Sequence, residues 1–331
     1  MFLRKIMTVG ATVAMFAVAP AWAQTELKLA TDSGAKGSPS GDALDRWASL
    51  IEEGTDGEVE VDVFYQNELG SQAEVFDLFI AGDIDMMINW PITAYDERLG
   101  VLFTPYMVTS WEEAFEAYKP GGWVNDMLVG IYDDLGLKFF GPWPEGFNGI
   151  ASADKYAMTE EEAADLKIRV PAMFPMAESV QALGYQTATI DWSEVFTAIQ
   201  TGVVDGDGAN IIYWDYEYFR DVLDYYNQTK MQFVTGVIAM NSQSWDSLSE
   251  DHQEVVREAA LTVMEEACEQ AQERDQYYIE QAKKAGMEYI EPSEAQLAEM
   301  AKKVRAEVWP LMEERIGSEI MDTIRDNASE L

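Results

Sequence analysis

Few side chains in this sequence are equipped for catalysis. It contains one histidine, His252, and one cysteine, Cys268, among 331 residues. A Ser-His-Asp or Cys-His centre needs an imidazole beside its nucleophile. His252, next to Asp251 in the expected first turn of a helix, reads instead as a solvent-exposed side chain. Cys268 falls on the apolar stripe of that helix, as a small core residue rather than a reactive thiol. A single cysteine also excludes an intrachain disulfide framework and any cysteine-cluster metal site. The run Asp205-Gly206-Asp207-Gly208 has the look of a calcium loop. An EF-hand, however, needs an acid at its third ligand position and a bidentate Glu at its twelfth, where Ala209 and Tyr216 stand. No phosphate-binding glycine loop is present, and nothing calls for a cofactor or a metal.

Arg169 is the residue whose type and place do suggest chemistry. It lies in Leu166-Lys167-Ile168-Arg169-Val170-Pro171, at the carboxyl end of an expected strand that Pro171 must end. Open α/β sheets bind their ligands at that end. A guanidinium fork holds a carboxylate through two parallel hydrogen bonds, which lysine cannot imitate. Spacing alone leaves a second reading equally open, a surface arginine paired with one of the many acids. Trp90, Trp143, Phe147, Phe174, Trp192, Tyr213 and Trp214 gather around the expected cleft, each as a ligand contact or as core packing.

The elements that must position these residues follow from hydropathy and charge. Apolar residues make up 48% and aromatics 12% of the chain, enough for a large core, and the length fits about two domains. Asp and Glu number 60 against 22 Lys and Arg, a net charge of −38, which excludes a nucleic-acid partner. The acids are dispersed, as on an exported surface adapted to high salt. Arg4 and Lys5, the apolar stretch from Ile6 to Pro20 and the small-residue box Ala21-Trp22-Ala23 form a signal peptide, residues 1–23, with cleavage expected after Ala23. The apolar run is shorter than a membrane-spanning helix needs.

Beyond it, Leu27 to Ala30 reads as a strand, Asp42 to Glu53 as a helix, and Val59, Val61 and Val63 as a half-buried strand. A helix follows the Leu69-Gly70 turn and a strand spans Ile84 to Ile88. Strands are further expected at Leu137 to Gly141, Phe147 to Ala151, Lys167 to Val170 and Phe233 to Met240, the last crossing between domains. Ser193 to Gln200 reads as a helix. Capping-box spacings stand at Thr159 to Glu162, Ser247 to Glu250 and Ser293 to Gln296. From about 250 to 285 the apolar residues recur at helical intervals, which predicts one helix long enough to bridge two lobes, and Pro310 interrupts the last apolar pattern. Alternating strands and helices predict a parallel α/β architecture.

The run from Leu166 through Ala182-Leu183-Gly184 and Trp192-Ser193-Glu194-Val195-Phe196-Thr197-Ala198-Ile199-Gln200-Thr201-Gly202-Val203-Val204-Asp205-Gly206 closely resembles the DctP-type solute-binding proteins of TRAP transporters. Leu69-Gly70-Ser71 with Glu74, Ala81 to Met86 and Trp245 to Ser249 match the same pattern in order. The resemblance implies an α/β, two-lobed periplasmic binding protein with hinge strands and a long lobe-spanning helix. It implies a monomer that closes on a small organic anion and hands it to a small and a large TRAP membrane subunit driven by a sodium gradient. Lobe I is expected from 24–147 plus 236–275, and lobe II from 148–235 plus 276–331. The arginine matching Arg169 would grip the ligand carboxylate, the aromatic at Trp192 would line the pocket, and an asparagine after the Asp-Gly pair would touch ligand. Here that asparagine is displaced by one residue to Asn210, and the usual glutamate is missing. Asn148 stands near the place of a second arginine of sialic-acid binders, which disfavours that ligand. Glu74, Phe174, Trp214, Asn241 and Trp90 complete the candidate ligand-binding set. The competing readings are an exported carboxylate-dependent hydrolase, for which no two acids stand apart from the rest, and a stand-alone ligand sensor.

Overall fold

A computed structural model describes residues 24–330. The cleavage site expected after Ala23 lies outside them. Eleven strands run among the described residues: β1 (Thr25–Thr31), β2 (Val59–Phe64), β3 (Met86–Asn89), β4 (Leu137–Phe147), β5 (Ile150–Ser152), β6 (Lys167–Val170), β7 (Gln186–Thr189), β8 (Gly206–Asp207), β9 (Tyr225–Asn227), β10 (Phe233–Asn241) and β11 (Glu288–Ile290). They form two sheets, ordered β2-β1-β3-β10-β4 and β11-β9-β5-β8-β6-β7. The molecule is a two-lobed α/β protein, one sheet to each lobe.

The first sheet grows from parallel β-helix-β units. Val59 and Val61 point inward while Glu58 and Glu60 face water, the period of a strand with one wet face. The helix Pro39–Gly54 begins where Ser38 accepts a hydrogen bond from the Gly41 amide, with Pro39 in the first turn. It buries Leu44, Trp47 and Ile51 on one side.

Antiparallel β4 and β10 carry the chain between the sheets. Their register runs from Phe233 opposite Phe147 to Asn241 opposite Leu137, with shifts at Val234/Thr235 and Ile238/Ala239. Sequence periodicity ends one strand at Gly141 and starts the next at Phe147; the structure carries β4 through Pro142 and Pro144 to Phe147 and starts β5 at Ile150. β4 lies at the sheet edge with β10 as its only neighbour, and there a proline's missing amide need break no ladder bond. Beyond β4, Gly149 turns into the second sheet. A Cβ there would sit 2.5 Å from the Tyr226 ring and 2.7 Å from the Asn227 carbonyl.

A third passage is the single helix Glu250–Ala285, 36 residues long, about 54 Å end to end. It packs on β4 and Pro39–Gly54 in the first lobe and on the helix Ile212–Phe219 and β11 in the second. Gly141 leaves room for it, because a Cβ there would lie 2.3 Å from Met264 Sδ. Cys268, half-buried, packs against the main core.

The start of this helix differs from its expected cap. Ser249 rather than Ser247 caps it, accepting from the His252 amide at 3.2 Å, because Ser247 ends the short preceding helix Ser242–Ser247. His252 is not free in solvent either: Nε2 lies 3.1 Å from Glu58 Oε2.

Two more expectations are corrected nearby. Ser193 belongs to a 3-10 turn, Trp192–Glu194, with the helix starting at Val195. Pro310 lies inside the continuous helix Glu294–Ile316, where buried Val308, Trp309 and Met312 and the Trp309 indole bond to the Pro105 carbonyl hold the turn despite one lost amide. The final helix Ser318–Asn327 packs mainly on Glu294–Ile316 and also on Trp123–Asp134. No helix among the described residues is long and apolar enough to cross a membrane.

Candidate functional site

A cavity of about 680 Å³, counted with its mouth, opens where the two sheets meet the crossing strands. Arg169, Trp192, Asn210, Trp214 and Trp90 line it, together with Glu145, Gln72, Gln232, Met173 and Met176.

Arg169 enters from β6, between Ile168 and Val170, which are fully buried. Parallel pairing of β6 with β8 sets it directly opposite Asp207. Arg169 as a whole is only 2% exposed. Its Nε donates to the Ile190 carbonyl at 2.8 Å and its Nη1 to Asp207 Oδ2 at 2.9 Å. Nη2 has no protein partner among the described residues, leaving donor capacity toward the cavity. Asp207 Oδ1 in turn accepts from the Ala209 and Asn210 amides at 3.0 and 3.1 Å. Arg169 thus pairs with an acid, as one of the two readings had it, but buried at the wall of a cleft rather than on the surface, and with Nε and Nη1 of its fork already engaged.

The Asp207 charge has a neighbour. Asp215 is buried, and its carboxyl is held well above the ordinary range by that burial and by Asp207 beside it. Asn210 Nδ2 donates to Asp215 Oδ1 at 2.8 Å while Oδ2 has no partner among the described residues. The one-residue displacement of Asn210 therefore leaves it on the cavity wall, locked by Asp215.

Three tryptophans line the cavity, Trp90, Trp192 and Trp214, with Trp143 packed behind Trp90 outside the lining. Trp143, Trp90, Trp214 and Trp192 follow one another edge to face at 6.1, 6.0 and 5.5 Å between ring centres. Glu145, near the end of β4, accepts from Trp90 Nε1 at 3.0 Å and from Trp214 Nε1 at 2.8 Å. Burial pushes its carboxyl up to about 8, against the opposing pull of Arg274. Asp32, at the end of β1, accepts from Gln72 at 3.1 Å and is raised by burial to about 7.

The remaining sequence candidates stand away from the cavity. Glu74 caps Gln72–Ala81, accepting from the Ser71 amide at 2.8 Å and its hydroxyl at 2.9 Å, bonds that hold its carboxyl below the usual range. Asn241 caps Ser242–Ser247 and ties it to the Phe79 carbonyl at 3.0 Å, at the far end of β10. Phe174 lines a separate surface groove, where the Arg315 guanidinium lies 4.2 Å from its ring centre. Asn148 fastens the two crossing segments, donating to Gln232 Oε1 at 2.6 Å and accepting from the Gln232 amide at 2.7 Å; it supports Gln232, which does line the cavity.

Glu145 and Asp207 are the residues that sequence reasoning missed. Sixty acids hide the first. The second was legible only as a failed calcium ligand, and the signal that finds it is strand order, with Asp207 across from Arg169.

Comparison with known proteins gives this site a family. A solute-binding protein of Chromohalobacter salexigens is 24% identical over 224 residues, covering 67% of this chain and 66% of that protein. The C4-dicarboxylate-binding periplasmic protein DctP of Rhodobacter capsulatus is 25% identical over the full length of both chains. A TRAP periplasmic solute-binding protein from Desulfovibrio salexigens, solved with orotic acid, superposes with a TM-score of 0.82 at 22% identity, over 91% of this chain and 97% of that one. The family model of bacterial extracellular solute-binding protein, family 7 (DctP), matches residues 30–315, and the chain belongs to that family.

Proposed function

We propose that this chain is the exported, periplasmic receptor of a TRAP-type transporter, released by cleavage after Ala23. It captures a small organic acid as a monomer and delivers it to a small and a large membrane subunit for sodium-coupled uptake. The observation that carries the reading is Arg169, a buried guanidinium with unused donor capacity at a cleft between two lobes. A ligand carboxylate would take Nη2, with Trp192 and Asn210 beside it, and Trp90 and Trp214 against its body. The hinge lies at 147/148 and 235/236, where β4 and β10 cross. Closure dries the cavity, which strengthens the charge pairing, and the closed state is the signal the membrane subunits read.

Binding proceeds without turnover. Thermal-shift screening of the purified 24–331 chain against small organic acids should give a ligand that raises the melting temperature and is recovered intact by mass spectrometry. A chemically altered ligand would overturn the reading.

A further inference from the structure

Arg169 accounts for one end of the cavity. The other end holds a buried acid that the carboxylate clamp does not use. Glu145 is 1% exposed and lines the cavity, yet it forms no ion pair among the described residues. The charges acting on it are Arg274, across the Trp143 ring, and Asp32. Arg274 is engaged elsewhere: its guanidinium stacks 5.0 Å from the Trp143 ring centre and donates to the Pro144 carbonyl at 2.9 Å. Each Glu145 oxygen accepts one indole N–H, and a carboxylate oxygen has lone pairs for a second donor. Two tryptophans fix its orientation and leave it without a cation.

The cavity's charges balance differently from a plain anion trap. Arg169 is already neutralised by Asp207 at 2.9 Å. A ligand carboxylate on Nη2 makes that end of the cleft net negative, and a second carboxylate at the other end would find no cation in a dry site, since Glu145 holds its proton in the empty cleft and Arg274 is engaged elsewhere. A protonated nitrogen there would instead favour the ionised form of Glu145, drawing off its proton, and pair with it as the missing cation.

We propose that the cleft selects a nitrogen-bearing monocarboxylate, with its carboxylate on Arg169 and a protonated nitrogen donating to Glu145, and that it rejects dicarboxylates. This rests on the carboxylate reading of Arg169 given above and adds the ligand's second functional group.

Matched probe pairs test it by calorimetry on the mature chain: γ-aminobutyrate against glutarate, and isonipecotate against cyclohexane dicarboxylate. In the wild type the amino member of at least one pair should bind about tenfold tighter or better, and Glu145→Gln should bring that ratio to within about threefold. If a dicarboxylate binds as tightly as its amino partner, this inference falls while the carboxylate reading stands. If no probe binds, this inference falls, and the organic-acid screen decides the carboxylate reading separately. An unchanged ratio in a folded Glu145→Gln protein reduces Glu145 to an anchor for two indoles and overturns the proposal. Should that variant fail to fold, the wild-type ratio decides alone.

Discussion

Arg169 has two obligations, one to the fold and one to the ligand, and substitutions separate them. Lysine keeps the charge, but one ammonium cannot satisfy the Ile190 carbonyl, Asp207 and a carboxylate in the geometry of the fork. Arg169→Lys should therefore lose nearly as much affinity as Arg169→Ala, about 2–5 kcal/mol by calorimetry; wild-type affinity in the lysine variant would make Arg169 a point charge only. Arg169→Ala should also destabilise the protein by about 3–5 kcal/mol in urea unfolding, because it strands the buried Asp207. Adding Asp207→Asn should restore stability but not binding. The arginine was legible because its type is scarce and a proline fixes it at a strand end. Its partner was not, since adjacency of β6 and β8 is a property of sheet order, which local spacing does not encode.

At the level of elements, what periodicity sees is burial on one face. It finds Val59, Val61 and Val63, and it finds the long helix from the recurrence of Val256, Ala260, Val263 and Ala267. It misreads β4, because Pro142 and Pro144 look like strand breakers until the edge position is known. The resemblance, not periodicity, brings Asn241 and Glu74 into the candidate set, and both side chains cap helices outside the cavity lining. The turn from β4 into β5 is the tightest point of the crossing. Tyr226 cannot yield there: it is fully buried and stacked on Tyr289 with planes 4° apart. Gly149→Ala should consequently cost about 1–3 kcal/mol through overpacking, measured by denaturant unfolding. A neutral effect would mean that the crossing segment shifts freely.

For the whole molecule, buried acids and surface acids both make stability depend on solution conditions. Burial raises Asp32 and Asp275 to about 7 and Glu145 to about 8. Over the interval from about pH 5 to pH 8 the folded chain then holds protons that the unfolded chain has released, so its stability is greatest at the acid end and falls as pH rises. Melting temperature at fixed ionic strength should decline across that interval; a rise would show these acids to be ionised in the folded state. Salt acts on the surface. With a net charge of −38, the melting temperature should hold or increase from dilute buffer to molar NaCl as screening weakens self-repulsion, and a steady fall would exclude that account. The long helix adds one more property. Cys268, the chain's single thiol, is pushed by burial up to about 11, so in the folded helix it is a slow nucleophile. Its rate of reaction with an aromatic disulfide reagent is therefore a clock for local lifting of the helix from the lobe beneath it, readable in the unmodified protein, and a ligand that clamps both lobes to that helix would slow the clock.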